Sequence, residues 1–188
     1  MTFKVDNLTK IYKKQRIIDR FSFEFNPGLY LFTGRNGSGK STTIKMFADV
    51  IYPSNYSWYK SEARISYLCE KVELSNGKVT PFLKDILHLS KMTKNLKELM
   101  LKWNIPDKNM LHLSKGNKQK VGILMMLLSD SDLYLFDEPT DALDQKTIFL
   151  FVEAIKELLQ KGKTVIISTH EKHYFAELNY KEITFDLD

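Results

Sequence analysis

Two short stretches of this chain carry residue types able to handle a phosphoanhydride. The first, Gly34-Arg35-Asn36-Gly37-Ser38-Gly39-Lys40-Ser41, fits G-x-x-x-x-G-K-[ST] at every fixed position. Its glycines let successive backbone N–H groups turn toward phosphate oxygens. A helix opening at Ser41 would add its positive end. Lys40 then reaches the β and γ phosphates of a nucleoside triphosphate, and the Ser41 hydroxyl is placed to ligate Mg²⁺. Gly34, Asn36, Gly37, Ser38, Gly39, Lys40, Ser41 and Thr42 are expected to line the nucleotide. The second stretch is Leu133-Tyr134-Leu135-Phe136-Asp137-Glu138, an apolar strand that ends in two carboxylates. Beside a phosphate loop, Asp137 can hold Mg²⁺ through water, and Glu138 can take a proton from an attacking water. Such a strand is common by itself. Following a phosphate loop, and leading into Pro139-Thr140-Asp141-Ala142-Leu143-Asp144, it carries more weight.

The elements that must position these groups alternate. Phe3 to Val5 and Arg16 to Phe25 read as strands, the latter with Phe21, Phe23 and Phe25 alternating with polar residues. Asn26-Pro27-Gly28 is a turn. Leu29 to Thr33 reads as a buried strand, and Ser41 to Val50 has helical spacing. Tyr52 to Glu62 is aromatic and polar without periodicity, and Arg64 to Cys69 reads as a strand. Thr80-Pro81 is a helix start, Thr80 as the cap. Helices are expected over Pro81 to Ser90 and Lys94 to Trp103, the second broken at Asn104-Ile105-Pro106. Another opens at Ser114 and runs to Leu128. Strands at Leu133 to Phe136, Thr164 to Ser168 and Glu182 to Leu187 surround a helix from Gln145 to Lys161, which Gly162 stops. The pattern predicts an α/β fold of the P-loop NTPase class. It combines a mostly parallel sheet with flanking helices, an antiparallel β portion near the N-terminus and a helical subdomain. One domain over 1–188 is expected, with a core of about 1–79 and 130–188 and the helical part over about 80–129.

Composition agrees with a globular protein: 188 residues, 43% hydrophobic and 27% charged. The longest apolar run, Ile123 to Leu128, is far short of a membrane span, and Met1 to Lys10 holds no apolar signal stretch. A lone cysteine, Cys69, excludes an internal disulfide and suits a reducing cytosol; it reads as a small buried apolar residue. The net charge of +5 comes from scattered lysines, without the aromatic-basic pattern of RNA-binding modules, so no nucleic acid is expected.

A third segment, Leu113-Ser114-Lys115-Gly116-Asn117-Lys118-Gln119-Lys120, opens the helix before the acidic strand. Its place between phosphate loop and acidic strand makes the chain resemble the ATPase subunits of ATP-binding cassette (ABC) transporters. The segment resembles their LSGGQ signature, and the resemblance runs from Lys4 to about Asp186. It implies ATP and Mg²⁺ as ligands and a head-to-tail homodimer or heterodimer of ATPase subunits. Ser114 and Gly116 of one copy would meet the γ-phosphate held by the other, where a helix amino end favours an anion. It further implies that Tyr12 stacks on adenine, that Asp141 to Asp144 crosses to the partner, and that His170 hydrogen-bonds the γ-phosphate. Lys40, Glu138 and His170 become the catalytic residues, and Ser41, Asp137 and Glu70 the Mg²⁺ set. Glu70 stands where the family usually has glutamine, which puts the timing of hydrolysis in question. Lys115 and Asn117 also depart from the pattern, at positions away from the phosphate contacts. The stretch from Ile51 to Arg64 is short for the family. The implied activity is ATP hydrolysis that drives substrate movement through integral membrane subunits, with the chain cytoplasmic on the inner face of the membrane. The Leu-Ser-Lys-Gly signature and Glu70 resemble bacterial exporters. Two other readings stay open here: a soluble ATPase of this type acting on nucleic acid or the ribosome, and a regulatory binder that senses ATP without turnover.

Overall fold

The computed structural model describes residues 2–55 and 63–185. The tract Tyr52 to Glu62 therefore lies mostly outside the described residues, as do Asp186 and Leu187. The chain opens with an antiparallel hairpin of β1 (Phe3–Tyr12) and β2 (Gln15–Phe25). Its two-residue turn, Lys13-Lys14, takes φ of 45° and 72°, the left-handed pair that matches strand twist. β1 runs well beyond the expected Val5, to Tyr12. Register shifts between Val5 and Ile11, with Asn7 and Arg20 at positive φ, bulge the ladder and erase the period-two signal there.

Five further strands form one parallel sheet in the order β4–β5–β6–β3–β7: β3 (Gly28–Gly34), β4 (Ile65–Leu68), β5 (Leu133–Asp137), β6 (Thr164–Ser168) and β7 (Tyr180–Phe185). The described residues also form helices α1 (Lys40–Phe47), α2 (Val79–Ser90), α3 (Leu96–Lys102), α4 (Lys115–Leu127) and α5 (Gln145–Gln160), with short 3₁₀ turns at Met110–His112 and Lys172–Phe175. Both sheet faces are covered, so the strands read as apolar runs. On one face Tyr30, Phe32, Leu133, Leu135 and Ile166 pack with the hairpin and α1. Aromatic rings tie that layer together: Phe32 meets Phe185 at 4.9 Å and Phe25 meets Phe47 at 5.6 Å between centroids. On the other face Leu31, Tyr134, Phe136, Val165 and Ile167 share one cluster with residues of α2 to α5. The helical stretch and the sheet thus rest on a common core. No helix of the described residues is long and apolar enough to cross a membrane.

Element boundaries differ from expectation for local reasons. α1 ends at Phe47, short of the expected Val50, because Asp49 turns to φ 57° and Val50 N–H reaches back to Lys45 O at 2.9 Å, a Schellman closure. Thr80 is not the cap of α2. The helix starts at Val79, two residues before the expected Pro81, with Lys78 as N-cap, which makes no side-chain capping bond. The acceptor arrives from another turn, Asp107 Oδ1, which takes Thr80 N–H at 3.0 Å. β7 begins at Tyr180, ahead of the expected Glu182. Cys69 is half-buried, not buried, its thiol donating to Lys71 O at 3.0 Å.

Candidate active site

The phosphate loop leaves β3 where no side chain fits. Gly34 sits at φ 130°, and a Cβ there would lie 2.1 Å from Phe185 O. Gly39 sits at φ 103°, and a Cβ on it would lie 2.5 Å from Ile18 Cδ1. Both glycines are demanded by backbone conformation and close approach together. The loop closes over Lys40, whose Nζ donates to Gly34 O at 2.8 Å and Arg35 O at 3.1 Å. Burial pushes the Lys40 pKa down, while the carboxylates of Glu138 and Asp137 oppose the shift. His170 Nε2 stands 3.4 Å from this ammonium.

Opposite the loop, β5 delivers the acidic pair. Asp137 is 1% exposed. Its Oδ1 accepts from Ser41 Oγ at 2.7 Å and from Ser168 Oγ at 2.6 Å, and its Oδ2 is buried with no hydrogen-bond partner among the described residues. Glu138 takes φ 45°, a left-handed conformation uncommon outside glycine. Its N–H donates to both Ser168 O at 3.2 Å and Ser168 Oγ at 3.0 Å. Its Oε1 lies 3.3 Å from His170 Nε2. Burial first, and then the charge of Asp141, push the Glu138 carboxyl up to about 7. A carboxyl poised there suits a general base near neutral pH.

These groups open on a cavity of about 450 Å³ lined by the loop residues 36–42, Glu70, Glu138, Asp141 and His170. Lys40, Ser41, Thr42, Glu138, His170 and Glu70 are therefore brought together, with Asn36, Gly37, Ser38 and Gly39 beside them. Tyr12, Ser114 and Gly116 do not line this cavity. Tyr12 ends β1, 45% exposed, with Lys10 Nζ 4.9 Å from its ring centre. Ser114 is exposed and caps α4, accepting Asn117 N–H at 3.3 Å. Gly116 is pressed on the aspartate loop, Asp141 to Asp144: a Cβ there would lie 2.7 Å from Ala142 O.

Sequence reasoning missed the residues that tie these pieces. Gln119, buried, donates from Nε2 to Pro139 O at 3.1 Å. Lys120 Nζ lies 3.6 Å from Asp144 Oδ2, and Asp144 in turn caps α5 through Thr147 N–H at 2.8 Å. Thr140 Oγ1 donates to Glu171 Oε2 at 3.1 Å. Ser168 pairs directly across from Asp137. Its hydroxyl closes the apolar run Val165 to Ile167, but that local signal does not reveal the pairing with Asp137.

The chain as a whole is similar to known proteins. A family model for ABC transporters covers residues 18–141. An uncharacterized ABC transporter ATP-binding protein of Methanocaldococcus jannaschii is 34% identical over 180 residues, 89% of this chain and 68% of that protein. The structure of an ATP-binding subunit of an ABC transporter superposes with a TM-score of 0.85 at 23% identity, over 97% of this chain and 85% of that one. An archaeal ribosome recycling factor, solved with a ribosomal stalk protein, gives 0.87 at 26% identity over 100% of this chain but 38% of its own length. The chain belongs to the ABC transporter family and is an ATPase of that family.

Proposed function

We propose that this chain is the ATP-hydrolysing subunit of an ABC exporter, working as a pair of copies that drives separate membrane subunits. The observation that carries the reading is the convergence of Lys40, Glu138 and His170, with contacts of 3.3 and 3.4 Å, on the cavity of about 450 Å³ that the phosphate loop lines. Lys40 exchanges its bonds to Gly34 O and Arg35 O for β- and γ-phosphate oxygens. Glu138 accepts the proton of the attacking water, and His170, already beside it, hydrogen-bonds the γ-phosphate. Tyr12 stacks on the adenine.

The residues present fit Mg²⁺. Asp137 Oδ2 is a buried carboxylate oxygen without a partner among the described residues, and Ser41 Oγ lies on the same carboxyl group. One carboxylate with substrate phosphates is the usual Mg²⁺ environment. Ser41, Asp137 and Glu70 would hold the ion, which would neutralise charge on the β and γ phosphates.

Ser114 and Gly116 lie at an exposed helix amino end outside their own cavity, which supports completion of the site by a second copy. Closure over ATP and opening after hydrolysis make a two-state switch biased by the γ-phosphate. The swing passes from the core, residues 1–79 and 130–188, through the helical part, residues 80–129. The surface from Glu70 to Lys84 meets the membrane subunits, with the chain on the cytoplasmic face. Export rests on the Leu-Ser-Lys-Gly signature and Glu70. A second reading, action on the ribosome, takes its support from the recycling-factor likeness.

Glu138→Gln tests the proposal. With ATP this variant is expected to elute as a dimer in size-exclusion chromatography while the parent turns over and dissociates. A Glu138→Gln protein that stays monomeric with ATP and hydrolyses at the parental rate overturns both the base assignment and the paired site. Pull-down of the trapped dimer from cell lysate then separates membrane subunits, expected, from ribosomes, the rival.

A further inference from the structure

Ser168 makes more bonds to the acidic pair than its own strand requires. It is fully buried, at the last position of β6, in register with Asp137. One hydroxyl does two things. It donates to Asp137 Oδ1 at 2.6 Å, and it accepts the N–H of Glu138 at 3.0 Å. The fold does not need either bond for satisfaction. Glu138 N–H also reaches the Ser168 carbonyl, and Asp137 Oδ1 also receives Ser41 Oγ. Removing the hydroxyl therefore leaves no orphaned buried donor, the usual source of a large stability loss.

What the hydroxyl adds is orientation. Ser41 belongs to the first turn of α1, directly after the phosphate loop, whereas Ser168 belongs to the strand hydrogen-bonded to β5. It ties Asp137 to the sheet independently of the loop, and occupies Oδ1 so that Oδ2 is the oxygen left open. At the same time it holds Glu138 at φ 45°, a backbone state that persists only where the surroundings over-determine it.

We propose that Ser168 is a positioning residue, its single hydroxyl setting both the side-chain rotamer of Asp137 and the backbone of Glu138. The inference rests on the site reading above. Partners that orient a metal-binding carboxylate typically matter about ten- to a hundredfold in metal affinity or rate.

The test compares Ser168→Ala, Ser168→Cys and Ser168→Thr with the parent and with Glu138→Gln. Affinity for a fluorescent ATP analogue is titrated in EDTA and again with Mg²⁺, alongside kcat and Tm. For Ser168→Ala the affinity in EDTA should stay within about twofold. The extra affinity given by Mg²⁺ should shrink about tenfold, kcat should fall about tenfold or more, and Tm should drop by no more than about 4 °C. Ser168→Cys fills the same space with a weak donor and should behave like Ala, while Ser168→Thr keeps the hydroxyl and should restore the Mg²⁺ response. Ser168→Ala with a parental Mg²⁺ response and kcat, or rescue by Cys as good as by the parent residue, overturns the positioning role and leaves a packing role. Glu138→Gln at parental turnover overturns the site reading instead, so the two failures are distinguishable.

Discussion

The raised pKa of Glu138 gives a sharp prediction. Its carboxyl is pushed from 4.5 to about 7, chiefly by burial and next by the charge of Asp141, with Lys40 pulling the other way. If Glu138 is the base, only its ionised form works, so kcat/KM follows the fraction deprotonated in the free enzyme. That fraction is about one half at pH 7 and about a tenth at pH 6, so kcat/KM should fall about fivefold from pH 7 to 6 and approach tenfold per unit below that. The perturbation is Asp141→Asn, which removes one negative charge from the rim of the cavity. Asp141 is exposed, so its field is largely screened, and the acid limb should move down by on the order of half a unit. The assay is initial-rate phosphate release at subsaturating ATP from about pH 5.5 to 9 at constant ionic strength. Phosphate groups titrate nearby, but identically for parent and variant, so the difference between the two profiles belongs to the protein. Stability runs the opposite way with pH. A carboxyl raised on folding stabilises below its unfolded pKa and loses that contribution as pH rises through about 7. At about 1.4 kcal/mol per unit the ceiling is about 3 kcal/mol. An acid limb that Asp141→Asn leaves in place, or moves upward, would refute the electrostatic argument.

Two further outcomes are expected. Lys40→Ala should weaken ATP binding at least tenfold by fluorescence titration, because it removes the ammonium held at the phosphate loop; unchanged affinity would remove the loop from the binding site. Gly116→Ala should lower Tm by roughly 2–8 °C in thermal melts, since its Cβ would press on Ala142 O, with overpacking of about 1–3 kcal/mol exceeding the helix-propensity gain of up to about 1 kcal/mol. A variant as stable as the parent would mean that the aspartate loop yields freely.

The parallel sheet and the phosphate loop are legible in the sequence because their signals are short-range: short apolar runs, a glycine-punctuated loop and a serine cap at Ser114. Where partners distant in sequence set the geometry, local signals mislead. Thr80 offers the nearest hydroxyl at the start of α2, yet Asp107 supplies the acceptor from another turn. β1 reads short because its bulges break the alternation that marks a strand. Ser168 looks like an ordinary strand residue, since nothing local reveals that β5 and β6 pair Asp137 with it. The positive φ of Glu138 is likewise invisible in sequence, because it is imposed by the residues on the neighbouring strand.

Gly34 pairs with Phe185 across the edge of the sheet, and there is no room between them for even a methyl group. β7 thus acts as a doorstop for the phosphate loop, holding the first glycine from the flank opposite β6. Fraying of that strand would surface first as a loosened grip on triphosphate, well before the central strands gave way.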